Sequence, residues 1–537
     1  MPEKAGEWKT QKLKFNDAED IFTIRYRDPI AAIRSLWRDG QLSPEMVFAG
    51  CKIFSDEKEN RIFSEMHTGK WWHVLQVRLY QSFKVSFLKY HQSLLPKGAT
   101  LAPVIIATDK TQLTQFSGNK SAYPVYLTIG NILKATRRKP SKQACVLIAY
   151  LSVEKMDRSR ITEEEHRSQV KRLFHESMCI VLEPLIDAGI NGVEMISSDG
   201  SIRRVYPILT CYVADYPEQC LVACTKYGTC PKCRVSAEQL EDPHPTEKRT
   251  QKWTEAIITE GKNQAKGQPQ KLHTYCMSFD VAGGVYRPFW EGFPLCDIHS
   301  SITPDVLHQL YQGVFKHLVN WCQSILTPQE LDQRIRALPP AFGLRQFKKG
   351  IFALSQISGT ERKNMAKILL GCLIGCMPSK GILAITALLD FIYLAQYSTH
   401  DSLTLGYMQN ALDRFHKNQD YFITTLVRDD FNIPKFHSLL HYIESIENFG
   451  TTDNYNSEMF ERLHIDFAKN GWRASNQRDE FPPMMRWLSR QEKIMSFETH
   501  QKSILQHQEG NFNITPQDLL ENKKSLISIA KYPNYPS

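Results

Sequence analysis

The sequence predicts an α/β protein whose mixed sheet is interrupted by a long all-helical stretch. Three observations predict it. Apolar, β-branched runs recur between about residues 100 and 152, as "APVIIATD", "AYPVYLTIG" and "ACVLIAYLS". An amphipathic segment, "TEEEHRSQVKRLFHESMCIVLEPLIDAG", follows and leads to a fourth run, "RRVYPILTCYVADYPEQ". Three strands, a helix and another strand make an α/β unit with a mixed sheet. From about 300 to 445 the spacing turns helical, as in "TPDVLHQLYQGVFKHLVNWCQSIL" and "KGILAITALLDFIYLAQYS".

Bulk properties set the limits. A chain of 537 residues exceeds what one core usually supports, so several domains are expected. With 42% hydrophobic and 23% charged residues, wholesale disorder is excluded. The apolar runs "ILLGCLIGCM" and "GILAITALLDFIYLA" are too short or too interrupted to span a bilayer and read as core helices. The start, "MPEKAGEWKTQKLKFND", lacks the apolar core of a secretory signal. Thirteen cysteines are scattered along the chain, and reduced thiols are the default, with close pairs metal candidates before disulfides. A net charge of +9 is compatible with a polyanionic partner.

Taken in order, "RDPIAAIRSLWRD" has helical spacing at Ile30, Ile33 and Leu36, with Pro29 in the first turn. Trp71 and Trp72 are expected to anchor the N-terminal region on the next domain. The connection "NILKATRRKPSK" brings together Arg137, Arg138, Lys139 and Lys142, either a solvated loop or a set of phosphate contacts. Thr162 is a helix N-cap, with acids in the first turn. Residues 234 to about 272 are polar and read as an exposed, mobile insert. Neither a fixed-period repeat nor a low-complexity tract is present in the sequence.

Chemistry can sit in several places. Asp109 and Asp215 each end an apolar strand, at the carboxyl edge where open α/β sheets build sites. At Asp109 a turn-starting carboxylate paired with Lys110 or a backbone donor competes with a metal ligand. Two strand-end acids plus an acid on a later helix can hold two divalent cations about 4 Å apart. Cys230 and Cys233 form a tight CxxC inside "GTCPKC", a knuckle suited to zinc thiolates. His273, Cys276, His244, Cys224, Cys296 and His299 are the candidates to complete it. Asp305 and His308 share one helix face at i, i+3. His437 and His441, at i, i+4, can ligate a metal, but no third ligand is evident beside them, and the spacing reads as helix packing.

Five stretches carry a family resemblance. "APVIIATDKTQLTQFSGNKSAYPVYLTIGNILKATRRKPS", "YPILTCYVADYPEQ", "CPKC", "TPDVLHQLYQGVFKHL" and "NSEMFERLHIDFAKNGWRASNQ" occur in this order between about residues 8 and 490. Together they resemble the Plavaka family of fungal transposases, related to CACTA-type and Kyakuja–Dileera–Zisupton elements. The resemblance implies a ribonuclease-H-like core with a DDE triad and a large helical insertion before the last acid. Asp109 matches the first acid, Asp215 the second and Glu461 the last, with Glu458 the runner-up. Asp305 and His308 match a D-x-x-H motif of the insertion.

It further implies Mg²⁺ or Mn²⁺ at a two-metal site and a structural Zn²⁺. Element ends and target DNA are the implied partners, with a homo-oligomer when active, nuclear location and no membrane. The family's N-terminal end-recognition region is expected to be missing. The alternative is a catalytically inactive, transposase-derived DNA-binding or scaffolding protein. The expected domains are an aromatic-rich, α-rich region (1–97), the first part of the core (98–222), a zinc knuckle with a flexible insert (223–299), the helical insertion (300–450), a core helix with the last acid (451–495) and a tail (496–537).

Overall fold

The computed structural model describes residues 5–15, 20–55, 59–76, 99–114, 120–157, 161–478 and 481–510. Ten strands are assigned among them: β1 (Lys9–Lys14), β2 (Ile21–Tyr26), β3 (Ile53–Phe54), β4 (Arg61–Ile62), β5 (Ala99–Thr108), β6 (Thr111–Gln112), β7 (Ser121–Ile129), β8 (Val146–Leu151), β9 (Val193–Ile196) and β10 (Ile202–Val213). The main sheet runs β1-β2-β8-β7-β5-β10-β9, with β6 paired to β7. Only β5 and β10 are parallel; every other pair in the sheet is antiparallel. The three apolar runs thus become β5, β7 and β8, and the fourth run becomes β10 beside β5.

The sheet is covered on both faces, which explains why its central strands read as nearly continuous apolar runs. From β5, Ala102, Val104 and Ile106 enter one core, while Leu101, Ile105 and Ala107 enter the other. Helices Pro29–Arg38, Glu163–Leu182 and Pro184–Asn191 cover the first face. Thr162 caps the second of these through a capping box with Glu165, so its first turn forms as the acids predict. The other face is covered by Ser457–Leu463, the segment that follows it, and the long helix Phe481–Gly510.

The N-terminal region departs from the expected α-rich character. β1 and β2 extend the main sheet, and β2 pairs with β8 through Arg25↔Tyr150 and Tyr26↔Ala149. Here "FTIRY" alternates in and out, a period-2 signal outweighed in the sequence by the neighbouring helix. Trp72 is fully buried and Trp71 packs on Phe449 with ring centroids 6.2 Å apart, so this pair does anchor the region. The polar segment after the CxxC is folded, not loose. Helices Gln251–Ala265 and Pro269–Met277 pack through Ile258, Ala265, Leu272 and Cys276. Four apolar side chains in a polar stretch suffice for that small core.

The regular structure of residues 298–449 is helical, broken by an irregular stretch over 338–358, and the span has its own apolar core, from Val306 to Ile446. Two segments wind as π-helix: Val306–Phe315 and His464–Lys469. Such windings are rare and cluster at functional sites.

Candidate functional site

The parallel pair β5–β10 creates the site. Its last registered residues are Ala107 and Val213, so Asp109 and Asp215 each lie two residues beyond the same rung. A register shift between Leu209 and Cys211 matters here. Before it, the odd-numbered Val205 and Leu209 face one core; after it, the odd-numbered Cys211 and Val213 face the other. One extra residue has inverted the alternation. Continued past the strand ends, the same alternation turns both acids toward the face covered by Ser457–Leu463.

That face supplies the partners. His464 Nε2 lies 3.1 Å from Asp109 Oδ2, and its Nδ1 lies 3.0 Å from the Tyr126 hydroxyl. A carboxylate only accepts, so Nε2 donates to Asp109. On the next wall, His308 Nδ1 lies 2.6 Å from Asp305 Oδ2 and its Nε2 lies 3.0 Å from Glu461 Oε1. Asp305 is buried and caps the first π-segment, its Oδ1 accepting from the Leu307 and His308 amides and from the Ser457 hydroxyl at 2.6 Å. Each π-segment therefore contributes one histidine that grips an acid. Glu458 points elsewhere, into an ion pair with Lys363.

Negative charge is in excess. Burial raises the Asp215 pKa; the Glu218 amide and His308 oppose this, and Asp109 and Asp305 add to it. Glu218 is half-buried, takes a hydrogen bond from the Thr108 hydroxyl, and is pushed up to about 8 by desolvation and by Asp109 and Asp215. Burial opposes charge on His308, yet its hydrogen bonds to Asp305 and Glu461 raise its pKa to about 11, so it is an imidazolium at neutral pH. Asp215 also accepts the Glu218 amide at 3.1 Å and so caps helix Tyr216–Val222.

A second constellation lies apart from these acids. Among the described residues, Cys230, Cys233, His437 and His441 are the one group of three or more His, Cys, Asp or Glu side chains whose ligand atoms all lie within 4.8 Å of one another, and all four are buried. The carboxylates of Asp109, Asp215 and Glu461 are not drawn together to that degree. Cys230 Sγ is 3.2 Å from His441 Nε2, and Cys233 Sγ is 3.1 Å from His437 Nε2. The backbone amide of Lys232 donates to Cys230 Sγ at 3.3 Å, and Arg249 Nε donates to the Cys230 and Cys233 carbonyls at 2.9 and 3.1 Å. His437 Nδ1 donates to the Leu240 carbonyl at 3.1 Å, which leaves Nε2 free to ligate. The Cys233 thiol is held low by its Cys230 hydrogen bond and by both histidines, despite burial.

The expected completing ligands do not join this cluster. His299 is spent on the Pro231 carbonyl and the Thr254 hydroxyl, both at 2.7 Å. Cys224 lies 3.4 Å from His175, His273 pairs with Glu164, Cys296 lies 3.8 Å from Ser301, Cys276 is packed in the small helical core and His244 is exposed. His437 and His441, whose spacing alone read as helix packing, are the two residues that stand beside the CxxC instead.

The basic connection also needs correction. Arg137 is buried and gives its guanidinium to the Ile132 carbonyl at 2.8 Å and the Asn454 carbonyl at 2.8 Å, so it offers nothing to a phosphate. Arg138 is exposed and paired with Asp453 at 3.3 Å, Lys139 is exposed and Lys142 half-buried.

Two acids at equal offset past one parallel strand pair, opposed by a helix bearing a third, form an acidic cleft at the strand ends of an α/β chain. The chain's family is found by comparison: residues 1–322 match the family model of Plavaka transposase. The match spans more than half of the 537 residues, and the chain belongs to that family. The matched span includes both strand-end acids, the CxxC and the Asp305–His308 pair. No curated protein matches the chain. Among the described residues, no helix is long and apolar enough to cross a membrane.

Proposed function

We propose that this transposase-family chain cuts and joins DNA phosphodiesters at a DDE centre formed by Asp109, Asp215 and Glu461, on a ribonuclease-H-like core. The observation that carries the reading is the shared rung: two acids at equal offset past adjacent parallel strands, with Glu461 reaching the same cleft through His308. The strand order β8-β7-β5-β10, antiparallel until its last parallel pair, supports the core assignment. Glu461 is preferred over Glu458 because the latter is committed to Lys363.

The residues suit Mg²⁺ or Mn²⁺. They offer hard oxygen donors, and the pKa values of Asp215 and Glu218, raised first by burial and then by neighbouring acids, belong to groups whose charged form a cation would favour. When bound, the two ions supply an activated water or 3′-hydroxyl and stabilise the leaving oxygen. The chain's own residues do the rest. His464 orients Asp109, Asp215 is fixed by the Glu218 amide, and His308 orients Glu461 from its anchor on Asp305. The Cys230–Cys233–His437–His441 set suits a structural Zn²⁺, with thiolate and imidazole donors and buried surroundings. DNA as partner, a homo-oligomeric active form and nuclear location belong to the same proposal.

The test is a cleavage assay with Mn²⁺ on DNA carrying the terminal repeats that flank the coding sequence. Wild type is expected to nick at the repeat ends, and Asp109→Asn to bind without cutting. Failure of the wild-type protein to cut authentic ends would overturn the reading and leave a non-catalytic DNA-binding protein.

A further inference from the structure

Against the Cys/His cluster, with Cys233 and His441 in its wall, lies a pocket of about 70 Å³ that is separate from the acidic centre. Its charged wall residues are Lys232, Lys248, Arg249 and Glu444, three cations against one acid. Arg249 is 2% exposed, and while its Nε holds the CxxC carbonyls, its Nη1 is buried with no hydrogen-bond partner. A buried guanidinium N–H left unpaired is costly, and native structures rarely keep one without a ligand or water. Glu444 does not answer it, because it is taken by Lys248. The cluster does not answer it either: two thiolates around a divalent ion are neutral in sum. The Lys232 ammonium spends its hydrogen bonds on the Ile302 and Ser300 carbonyls at 2.6 and 3.3 Å, and it shares the one acid, Glu444, with Lys248.

We propose that this pocket binds one tetrahedral oxyanion of the phosphate class, held by Arg249 Nη1 and by the charge of Lys232 and Lys248. Size agrees. A water needs about 10–15 Å³ of such volume, so the pocket takes a few waters or one such anion. Access agrees too, since the Lys248 side chain at its rim is 65% exposed. The guanidinium fork matches a phosphate in a way an ammonium does not. The anion is either free phosphate or a phosphate of a DNA backbone. Only the second source rests on the transposase reading, and the anion site stands without it.

The experiment titrates inorganic phosphate into the full-length, zinc-supplemented protein by calorimetry, at ionic strength held constant with chloride. Saturable binding is expected. Glu444→Gln removes the acid and is expected to tighten binding by about three- to tenfold, a gain that misfolding cannot mimic. Arg249→Lys keeps the charge but loses the fork, and is expected to weaken phosphate binding about tenfold, with affinity referred to the zinc-loaded fraction because Arg249 also holds the CxxC carbonyls. A short DNA duplex then separates the sources. Competition with phosphate assigns the pocket to DNA; phosphate binding indifferent to duplex assigns it to the free anion. No saturable phosphate binding up to about 20 mM, or Glu444→Gln binding like wild type, overturns the proposal.

Discussion

At Asp109 an apolar strand ends in a carboxylate, and that carboxylate is held by His464 rather than by Lys110 or a turn amide. Asp215, at the matching position, is a helix cap as well as a member of the acidic cleft. Both roles use a strand-end acid, which is why local sequence could not separate them. Asp109→Asn is expected to cut cleavage by about a thousandfold or more while leaving DNA binding intact or slightly tighter, read by gel cleavage and by equilibrium binding. Glu461→Gln is expected to match that loss, whereas Glu458→Gln, which only breaks an ion pair with Lys363, should cost less than about tenfold. Equal losses in both would reverse the choice of last acid. Glu218 gives a pH prediction. Its folded pKa, about 8, is above the usual carboxylate value, so the stability it contributes is complete below about 4.5 and is lost as pH rises through 8. Melting in magnesium-free buffer should therefore fall between about pH 5 and 8 in the wild type and fall less in Glu218→Gln. Added Mg²⁺ should shrink the difference, because a cation beside Asp109 and Asp215 removes part of the repulsion that holds the proton on.

At the scale of elements, the four core strands and the helix starting at Glu163 were legible in the sequence, because each is longer than the ambiguity at its ends. β1 and β2 were not, because short half-exposed strands next to a strong helical pattern carry little signal. The CxxC was legible as a knuckle, but its completing histidines were not. Cys233 and His437 are 204 residues apart, and no spacing rule reaches across that distance. What could have found them was the i, i+4 histidine pair itself, read as half of a site with the other half at the orphan CxxC. The π-segments were invisible, since the residue pattern of Val306–Phe315 also suits an α-helix. The element-level prediction concerns the Cys/His set. His437→Ala and Cys230→Ser should each abolish bound zinc, measured by plasma emission, and lower the melting temperature by about 5–10 °C. His299→Ala, by contrast, should retain zinc, because that ring is engaged with the Pro231 carbonyl and the Thr254 hydroxyl.

For the whole molecule, the helical region is tied to the sheet at several separate places. Lys134, just past β7, reaches the Ser398 carbonyl at 2.7 Å, Thr451 at 2.7 Å and Asp453 at 2.9 Å. Arg137 holds the Asn454 carbonyl, in the segment that follows the helical region. These cations, which composition alone offers to DNA, are structural. The net +9 therefore overstates the cationic surface that DNA can use. Replacing Arg138 and Lys139 with alanine together should lower the slope of log K against log salt by up to about 2 for duplex DNA, while Arg137→Ala should reduce stability instead. An unchanged slope in the double variant, measured by fluorescence anisotropy, would mean that this connection faces away from DNA.

The distance between the two halves of the Cys/His set also has a consequence during synthesis. At about 5–20 residues per second, His437 leaves the ribosome roughly 10–40 s after Cys233. Throughout that interval the nascent chain carries a thiol pair that its final partners cannot yet cover, open to oxidants and to stray metal ions. A chain stalled just before His437 should have both thiols open to alkylation, and one stalled some sixty codons past His441 (beyond the exit tunnel) should have neither. Completion of the helical region is thus the moment at which this thiol pair becomes covered.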